Sequence, residues 1–411
     1  MEKKRIVITG IGMMTPVGNC VQETWDALLA GKSGIAGITY FDASQHESRI
    51  AGEIKNFDPT EVMEKKEVRR TPRFIQYTLK SVKEAVESAK LENVDKDRVA
   101  VVIGSGIGGL QVMEDNHKTL LEKGPKRVSP FLIPMLITNM AGAFVSMRYG
   151  YRGPNFPVIT ACATGTHSIG EAANVIRRGD ADVAVAGGVE GAITPLGLAG
   201  FCSAKSLSVR NDDPERASRP FDGDRDGFVM ADGAGIFILE SEEHAKARGA
   251  AIIAELAGYG ASDDAFHMTA PPEDGSGGVL CMKRAFADAG ITPEQVQYVN
   301  AHGTSTRLND KTETVIMKTV FGSHAEKVLI SSTKSMTGHM LGATGAVEAG
   351  VCALSIKDSV VHPTINQTTP DPECDLNYVP NEKQKADVDT AVTNSFGFGG
   401  HNATLVIRKY K

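Results

Sequence analysis

Short apolar runs alternate along this chain with longer segments of helical periodicity, and this alternation constrains the fold more than any other feature. The helix-like segments include RFIQYTLKSVKEAVESAK (73–90) and GGVLCMKRAFADAG (277–290). The apolar runs are rich in β-branched residues and end in small or polar residues: RIVITG (5–10), VAVVIGSG (99–106), PVITAC (157–162), ADVAVAGG (181–188), VQYVNAHG (296–303) and KVLISST (327–333). Nearly continuous apolar strands occur in sheets that helices cover on both faces. The pattern therefore predicts an α/β protein, with functional side chains just past the strand ends.

An internal repeat predicts that this α/β unit is duplicated. The segments ATGTHSIGEAANVIRR (163–178) and ATGAVEAGVCALSIKD (343–358) align without a gap at an offset of 180 residues. The identical positions are mostly small residues, which suit close helix packing: Ala163/Ala343, Thr164/Thr344, Gly165/Gly345, Gly170/Gly350, Ala173/Ala353 and Ile176/Ile356. We interpret the two segments as pseudo-symmetric helices at the centre of one compact body, whose two halves are residues 1–250 and 251–411.

Composition excludes several classes of function. The 411 residues carry 44 basic and 50 acidic side chains, a net charge of −6, which argues against a general nucleic-acid-binding protein. The six cysteines are scattered along the chain without a CxxC pair, so a zinc site is not expected. Cysteines used in this way indicate a protein of the reducing cytoplasm. No apolar stretch reaches the roughly 20 residues of a membrane span.

One glycine-rich segment imitates a nucleotide-binding loop. GSGIGG (104–109) follows an apolar strand and fits GxGxxG. The second strand and the acidic residue that a dinucleotide site needs about 20 residues further on do not follow. Tight turns where backbone passes close to backbone are the preferred interpretation.

Cys162 in TACATG (160–165) is a candidate nucleophile. Ile169, Ala172, Ala173 and Ile176 have helical spacing, so a helix is predicted to begin near Ala163, directly after the cysteine. The helix dipole and free N–H groups would lower the pKa of the thiol and raise its nucleophilicity. The alternative for a single cysteine is a buried structural residue.

Three further segments favour the catalytic interpretation of Cys162. NAHGTSTRLND (300–310) contains His302, SSTKSMTGHMLGATG (331–345) contains Lys334 and His339, and NSFGFGGHN (394–402) is a glycine-rich turn around Phe398. Each alone has an ordinary structural explanation, such as a satisfied core histidine or a tight turn. Together they place polar groups past several predicted strand ends.

These segments resemble the β-ketoacyl-acyl carrier protein (ACP) synthases, condensing enzymes of the thiolase-like family, and most closely their elongating synthase II branch. The shared motifs, in family order, are VITGIGMMTPVG (7–18), GSGIGG, TACATG, RPFDGDRDGFVMADGAG (219–235), NAHGTSTRLND, TKSMTGHMLGATG (333–345) and NSFGFGGHN. The resemblance spans nearly the whole chain. It implies an α/β/α/β/α layered fold with two pseudo-symmetric halves, and a homodimer.

The resemblance also implies an acyltransferase reaction, the decarboxylative condensation of acyl-ACP with malonyl-ACP in fatty acid elongation. Cys162 would accept the acyl group, and neutral His302 and His339 would hydrogen-bond the enolate that remains when CO₂ departs. Backbone N–H groups of Cys162 and Phe398 would form the oxyanion hole. No metal or redox cofactor is implied, because decarboxylation itself generates the carbanion.

A charged group is expected behind the two histidines. Lys334 resembles the fixed active-site lysine of the family, and its charge would favour a neutral His339. A buried lysine needs an acidic partner. Glu348 resembles that partner, and Asp310 is expected to join the network.

Further residues are assigned to the substrate and to the carrier. The resemblance implies that Thr304, Thr306 and Thr269 bind the pantetheine arm and that Phe398 also acts as a gate. It further implies that Ile107 lies at the base of the acyl pocket, and the alternative for this residue is an ordinary core isoleucine. The expected docking residues for the acidic carrier are Lys65, Lys66, Arg69, Arg70, Lys126 and Arg127.

The chain departs from the family pattern at three places, and four other functions remain as alternatives. Arg307 stands where proline is common, Pro72 interrupts a usually helical stretch, and Ala231 replaces a common glycine. These departures affect carrier docking and substrate preference rather than the reaction class. The alternatives are a condensing enzyme for coenzyme A esters, a polyketide ketosynthase subunit, a non-catalytic chain-length-factor-like partner and a cysteine hydrolase.

Overall fold

A computed structural model describes residues 4–411, so residues 1–3 of the predicted first half lie outside the described range. The strands within that range are β1 (Ile6–Met14), β2 (Ala36–Gly37), β3 (Ile50–Ala51), β4 (Val99–Gly104), β5 (Val183–Glu190), β6 (Gly233–Ser241), β7 (Ala254–Asp263), β8 (Tyr298–Asn300), β9 (Leu329–Ser331), β10 (Val360–Val361), β11 (Gln384–Lys385), β12 (Thr390–Gly397) and β13 (His401–Arg408). The α-helices are α1 (Val21–Leu29), α2 (Lys65–Val68), α3 (Arg73–Ala89), α4 (Leu110–Lys123), α5 (Leu132–Leu136), α6 (Met140–Tyr149), α7 (Thr164–Arg178), α8 (Pro195–Ser203), α9 (Glu242–Ala247), α10 (Ser276–Ala289), α11 (Arg307–Phe321), α12 (Lys334–Thr337) and α13 (Thr344–Asp358).

The main sheet repeats one strand order twice. On one side the order is β4-β5-β6-β1, with a parallel pair followed by two antiparallel pairs. On the other side β8-β12-β13-β7 has the same sequence of parallel and antiparallel pairs, and β9 extends it. Ile6–Ile8 of β1 pair with residues of β7 and join the two sides. This repeat agrees with the predicted duplicated α/β fold.

Five layers follow from the way helices cover these strands. Helices α7 and α13 contact strands of both sides, whereas α3 packs on β1 and β6, and α10 packs on β7 and β13. Alternate residues of each strand face different layers. In β4, Ala100 and Val102 belong to the central core, while Val99, Val101 and Ile103 belong to the outer one. Small side chains toward the centre let the two middle helices approach closely.

The duplicated segments meet where the central helices begin. Short 3-10 turns, Ala161–Ala163 and Leu341–Ala343, precede α7 and α13 and contact each other. Ala161 and Leu341, which are 180 residues apart, both adopt left-handed φ angles, of 49° and 45°. Glycine is required nearby, because a Cβ on Gly165 would lie 2.8 Å from the backbone nitrogen of Ala346. The repeat in the sequence therefore reflects a backbone conformation as well as helix packing.

One predicted strand is absent. The run at 157–162 is not a strand among the described residues; the chain just before it is bridged to β4 only through Asn155 and Val101. Pro154 and Pro157 lack the N–H groups that a ladder needs, and the segment lies beyond the edge strand β4. Within 4–411, no helix combines the length and the apolar character needed to cross a membrane.

Candidate active site

A cavity of about 600 Å³ is lined by residues from both sides of the repeat. Its wall includes Cys162 from one side and His302, His339 and Phe398 from the other. The predicted substrate contacts that also line it are Ile107, Thr269, Thr304 and Thr306. The structure therefore brings the candidate nucleophile, the two histidines and the predicted substrate contacts to one space.

Cys162 lies in the turn before α7, as the sequence predicts. Two backbone N–H groups lower the pKa of the Cys162 thiol: that of Cys162 itself and that of Phe398, which lies in the turn between β12 and β13. Gly397 permits this turn to approach Cys162, because a Cβ there would lie 3.3 Å from the Cys162 nitrogen. Backbone N–H donors beside a nucleophilic sulfur are what an oxyanion hole for a thioester carbonyl requires.

The expected fall in the pKa of the Cys162 thiol is wrong. Burial raises this pKa to about 12, although the charge of Lys334 and the two backbone N–H groups lower it. The residue is only 9% exposed, so the thiolate would lose most of its hydration. At neutral pH the unloaded site therefore holds Cys162 as a thiol.

His302 and His339 form a buried pair. Their ring centroids lie 5.5 Å apart with the planes at 84°. His339 Nδ1 lies 3.1 Å from Thr344 Oγ1, and His302 Nδ1 has no hydrogen-bond partner among the described residues. Burial and then the charge of Lys334 hold the pKa of both imidazoles well below the ordinary value. Both rings are therefore neutral and able to donate a hydrogen bond.

Lys334 and Glu348 form the buried ion pair that the sequence predicts. Lys334 Nζ lies 2.7 Å from Glu348 Oε1, and both side chains are almost fully buried. Burial raises the pKa of Glu348 to about 7, and the lysine lowers it. A fixed positive charge is thereby held close to the two imidazoles.

Asp310 does not join this pair in the structure. It lies 3.5 Å from Arg225 and accepts a hydrogen bond of 2.8 Å from the backbone of Phe221. Among the described residues no hydrogen bond or ion pair connects it to Lys334. The acid that contacts the His302 segment is Glu313, one helical turn after Asp310 on α11. Its carboxylate accepts hydrogen bonds from the backbone nitrogens of His302 and Gly303 at 2.8 and 2.7 Å.

Glu313 and Glu190 are two buried acids beside the site that sequence reasoning missed. Burial raises the pKa of each to about 7. Glu190 ends β5 after two glycines, in GGVE (187–190), and a carboxylate at the end of an apolar strand is the signal that could have found it. Glu313 carries no such signal, because a polar residue inside a helix is usually solvated.

The pantetheine and gate candidates differ in their surroundings. The hydroxyls of Thr304 and Thr306 lie 2.9 Å apart, and Thr269 is in an exposed loop. Phe398 is 38% exposed and is followed by Gly399 and Gly400 with φ angles of 91° and 83°. Such a turn suits a ring that changes position.

The predicted docking residues are exposed and lie outside the cavity wall. The guanidinium of Arg70 lies 5.4 Å from the ring centroid of Phe131, which places the first basic run beside the segment that carries Lys126 and Arg127. Lys66 is already paired with Glu64 at 2.9 Å.

The three departures from the family pattern lie in different environments. Arg307 lines the cavity and is exposed. Pro72 is the N-cap of α3, so the helix begins directly after it. Ala231 is fully buried and bridges to Gly52.

Comparisons with known proteins agree with this arrangement. Residues 3–245 match the family model described as beta-ketoacyl synthase, N-terminal domain, and residues 253–368 match its C-terminal domain. Proteins named 3-oxoacyl-[acyl-carrier-protein] synthase 2 are 54% identical in Vibrio harveyi, 53% in Staphylococcus aureus (strain N315) and 51% in Coxiella burnetii, each match covering all of this chain and 99% of the relative.

Solved structures agree as well. A type II polyketide ketosynthase in complex with its acyl-carrier protein has a TM-score of 0.93 and 36% identity over the whole of both chains. A beta-ketoacyl synthase from Burkholderia phymatum STM815 has a TM-score of 0.93 and 34% identity, over 99% of this chain and all of the other. The family, the thiolase-like fold and the enzyme class predicted from the sequence are thus confirmed, and the chain belongs to the β-ketoacyl synthase family.

Proposed function

We propose that this enzyme condenses acyl-ACP with malonyl-ACP to give a β-ketoacyl-ACP two carbons longer and CO₂. The observation that carries the proposal is the shared cavity, in which Cys162 faces two neutral imidazoles and two backbone N–H donors. The identity of 51–54% to synthases named for this reaction supports fatty acid elongation.

In the first half-reaction Cys162 accepts the acyl group. Its sulfur attacks the thioester carbonyl of acyl-ACP, a new thioester forms, and the carrier's thiol leaves with the proton that Cys162 gives up. The N–H groups of Cys162 and Phe398 stabilise the intermediate oxyanion. Since the unloaded site holds a thiol, this proton has to leave as the bond forms.

In the second half-reaction the histidines stabilise an enolate. Loss of CO₂ from malonyl-ACP leaves negative charge on the thioester oxygen, where His302 and His339 each donate a hydrogen bond. The enolate carbon attacks the acyl thioester, the bond between the acyl carbon and the Cys162 sulfur breaks, and the released thiolate takes up one proton from solvent. Burial and the charge of Lys334 keep both rings neutral, which preserves them as donors without proton transfer.

We also propose a homodimer formed through the segment 110–160. Nine large apolar side chains of this segment are at least 37% exposed: Met113, Leu120, Leu121, Phe131, Ile133, Ile137, Met147, Phe156 and Ile159. Residues 153–156 of the same segment hydrogen-bond to Val99 and Val101 of the edge strand β4, so the segment covers the edge of the main sheet, a place that suits a second copy of the chain. Light scattering is expected to give a dimer for the parent and for Leu280→Glu, whose site is on α10, and a monomer for Leu121→Glu/Ile133→Glu. A monomeric parent would contradict the proposal.

The partner protein and the cellular location that we propose both follow from the proposed reaction. Acyl- and malonyl-loaded ACP are the proposed partners, and a ketosynthase of the same fold has been solved with its own carrier. A nucleophilic thiol at Cys162 has to stay reduced, so the cytoplasm is the proposed location.

Intact-mass spectrometry tests the reaction. Mixing the enzyme with a long-chain acyl-ACP is expected to add one acyl group at Cys162, and malonyl-ACP is expected to remove it as the β-ketoacyl-ACP. Cys162→Ala should remain unmodified. Cys202→Ala is the matched control, because Cys202 is equally exposed at 9% and belongs to the same apolar cluster, and it should behave like the parent.

Other products would support the alternative functions. Release of free fatty acid would indicate a cysteine hydrolase, and several condensations without release would indicate a polyketide ketosynthase, the activity of the solved relative with 36% identity. A folded protein that accepts no acyl group would indicate a non-catalytic partner.

A further inference from the structure

Glu190 is a fully buried carboxylate that binds two loops of the cavity wall. Its Oε1 accepts hydrogen bonds from Ser105 Oγ at 2.8 Å and from the Ile107 nitrogen at 3.2 Å. Its Oε2 accepts from the nitrogens of Gly106 at 2.9 Å and of Gly342 at 3.0 Å. One side chain therefore holds the GSGIGG loop and the turn before α13 at the same time.

Only an ionised carboxylate can accept all four of these hydrogen bonds. Each oxygen takes two donors, whereas an amide or a protonated acid replaces part of this acceptor capacity with a donor. Glutamine at this position would face at least one N–H or O–H donor with its own NH₂ group. That donor would be buried without an acceptor, which is destabilising, so one of the two loops would be held less firmly.

Both loops form the wall of the acyl cavity beside the nucleophile. Gly106 and Ile107 line the cavity from the first loop, and Leu341 lines it from the second. The loops meet without an intervening side chain, since a Cβ on Gly342 would lie 2.5 Å from the Gly106 nitrogen. Their separation is therefore set by backbone contact and by the carboxylate beneath them.

We propose that Glu190 is a positioning residue that fixes this wall and thereby sets which acyl chains the cavity accepts. The inference rests on the proposed acyl transfer. Ile107 stays in place only while its loop is bound to the carboxylate. Release of the loop moves this side chain and admits longer acyl groups.

The test compares Glu190→Gln with Glu240→Gln at a pH above the value near 7 to which burial raises the Glu190 pKa. Glu240 is a matched control, because it is equally buried and lies at the opposite end of the β5–β6 pair, where it binds Thr9 and Arg248. We expect Glu190→Gln to shift the ratio of kcat/KM between long- and short-chain acyl-ACP toward long chains by about ten-fold, the factor for one lost hydrogen bond. Glu240→Gln should leave the ratio close to that of the parent, because Glu240 binds neither loop of the cavity wall. An unchanged ratio in Glu190→Gln, or an equal shift in both variants, would overturn the proposal.

Hydrogen–deuterium exchange separates this inference from the proposed function. Peptides covering 104–109 and 340–343 should exchange faster in Glu190→Gln than in the parent or in Glu240→Gln. If these peptides exchange faster but the parent elongates no acyl-ACP, the proposed function fails and the binding of both loops by Glu190 stands. If elongation occurs and the exchange of both peptides is unchanged, the positioning role of Glu190 is wrong.

Discussion

At the scale of single residues, the Cys162 thiol experiences opposing influences. Burial and the negative charge of Glu190 raise its pKa, while Lys334 and two backbone N–H groups lower it. Removing the negative charge should therefore lower this pKa and increase the thiolate fraction at a given pH. We predict that Glu190→Gln shifts the pH profile of iodoacetamide alkylation at Cys162 toward lower pH, while Glu240→Gln does not. Identical profiles would mean that the Glu190 charge does not act on the sulfur.

The Lys334–Glu348 pair gives a second prediction at this scale. Glu348→Ala leaves a buried cation without its partner, which should cost about 3–5 kcal/mol of unfolding free energy. Replacing both members, as in Lys334→Met/Glu348→Leu, should recover most of that loss because no buried charge remains. The double variant should still lose activity, since the positive charge that stabilises the anionic intermediates beside the imidazoles is gone. Urea unfolding and the condensation assay measure the two effects. A double variant as unstable as Glu348→Ala would contradict this account.

At the scale of elements, hydrophobic periodicity predicts the helices well and the tertiary contacts less well. The helix predicted at 73–90 is Arg73–Ala89, and a helix does begin directly after Cys162. The wrong strand at 157–162 shows that an apolar run needs a neighbour that can pair with it. Asp310 and Glu313 lie on the same helix, and only the packing of α11 decides which carboxylate reaches His302.

The contact between α7 and α13 supports the turn that carries Cys162, the proposed nucleophile. A Cβ on Gly165 would lie 2.8 Å from the Ala346 nitrogen and 3.0 Å from the Gly342 oxygen, and both atoms belong to backbone that cannot easily move. We predict that Gly165→Ala destabilises the protein by about 1–3 kcal/mol through this overpacking and lowers acylation of Cys162.

Gly200→Ala is the control for this substitution. Gly200 lies in α8, and a Cβ on it would meet no atom within 4 Å, so alanine should stabilise the protein by up to about 1 kcal/mol. Thermal unfolding of the two variants should therefore move in opposite directions. A Gly165→Ala variant as stable as the parent would show that the helices can separate at no cost.

At the scale of the whole molecule, the duplication explains why the site lies at a junction. Cys162 and the two histidines come from different sides of the repeat, and the two central turns bring them together. The family resemblance predicted that Cys162 and the two histidines share one site. The repeat alone predicted only that two helices meet at the centre. The boundary near residue 250 stays a prediction. The role of Glu190 could not be predicted, because its four donors are about 85 and 152 residues away in the chain.

The net charge of the molecule makes a prediction about the carrier. A chain with a net charge of −6 repels an acidic protein on average, so association has to depend on local positive charge. We predict that Lys126→Glu/Arg127→Glu raises KM for acyl-ACP about ten-fold and weakens its salt dependence, with little change in kcat. Lys383→Glu/Lys385→Glu makes the same change in net charge at another exposed site and should leave KM nearly unchanged. Equal effects of the two pairs would show that total charge, and not a docking surface, governs the encounter. Acylation by a small thioester that lacks the carrier should be the same in the parent and in both pairs, because neither pair lines the cavity.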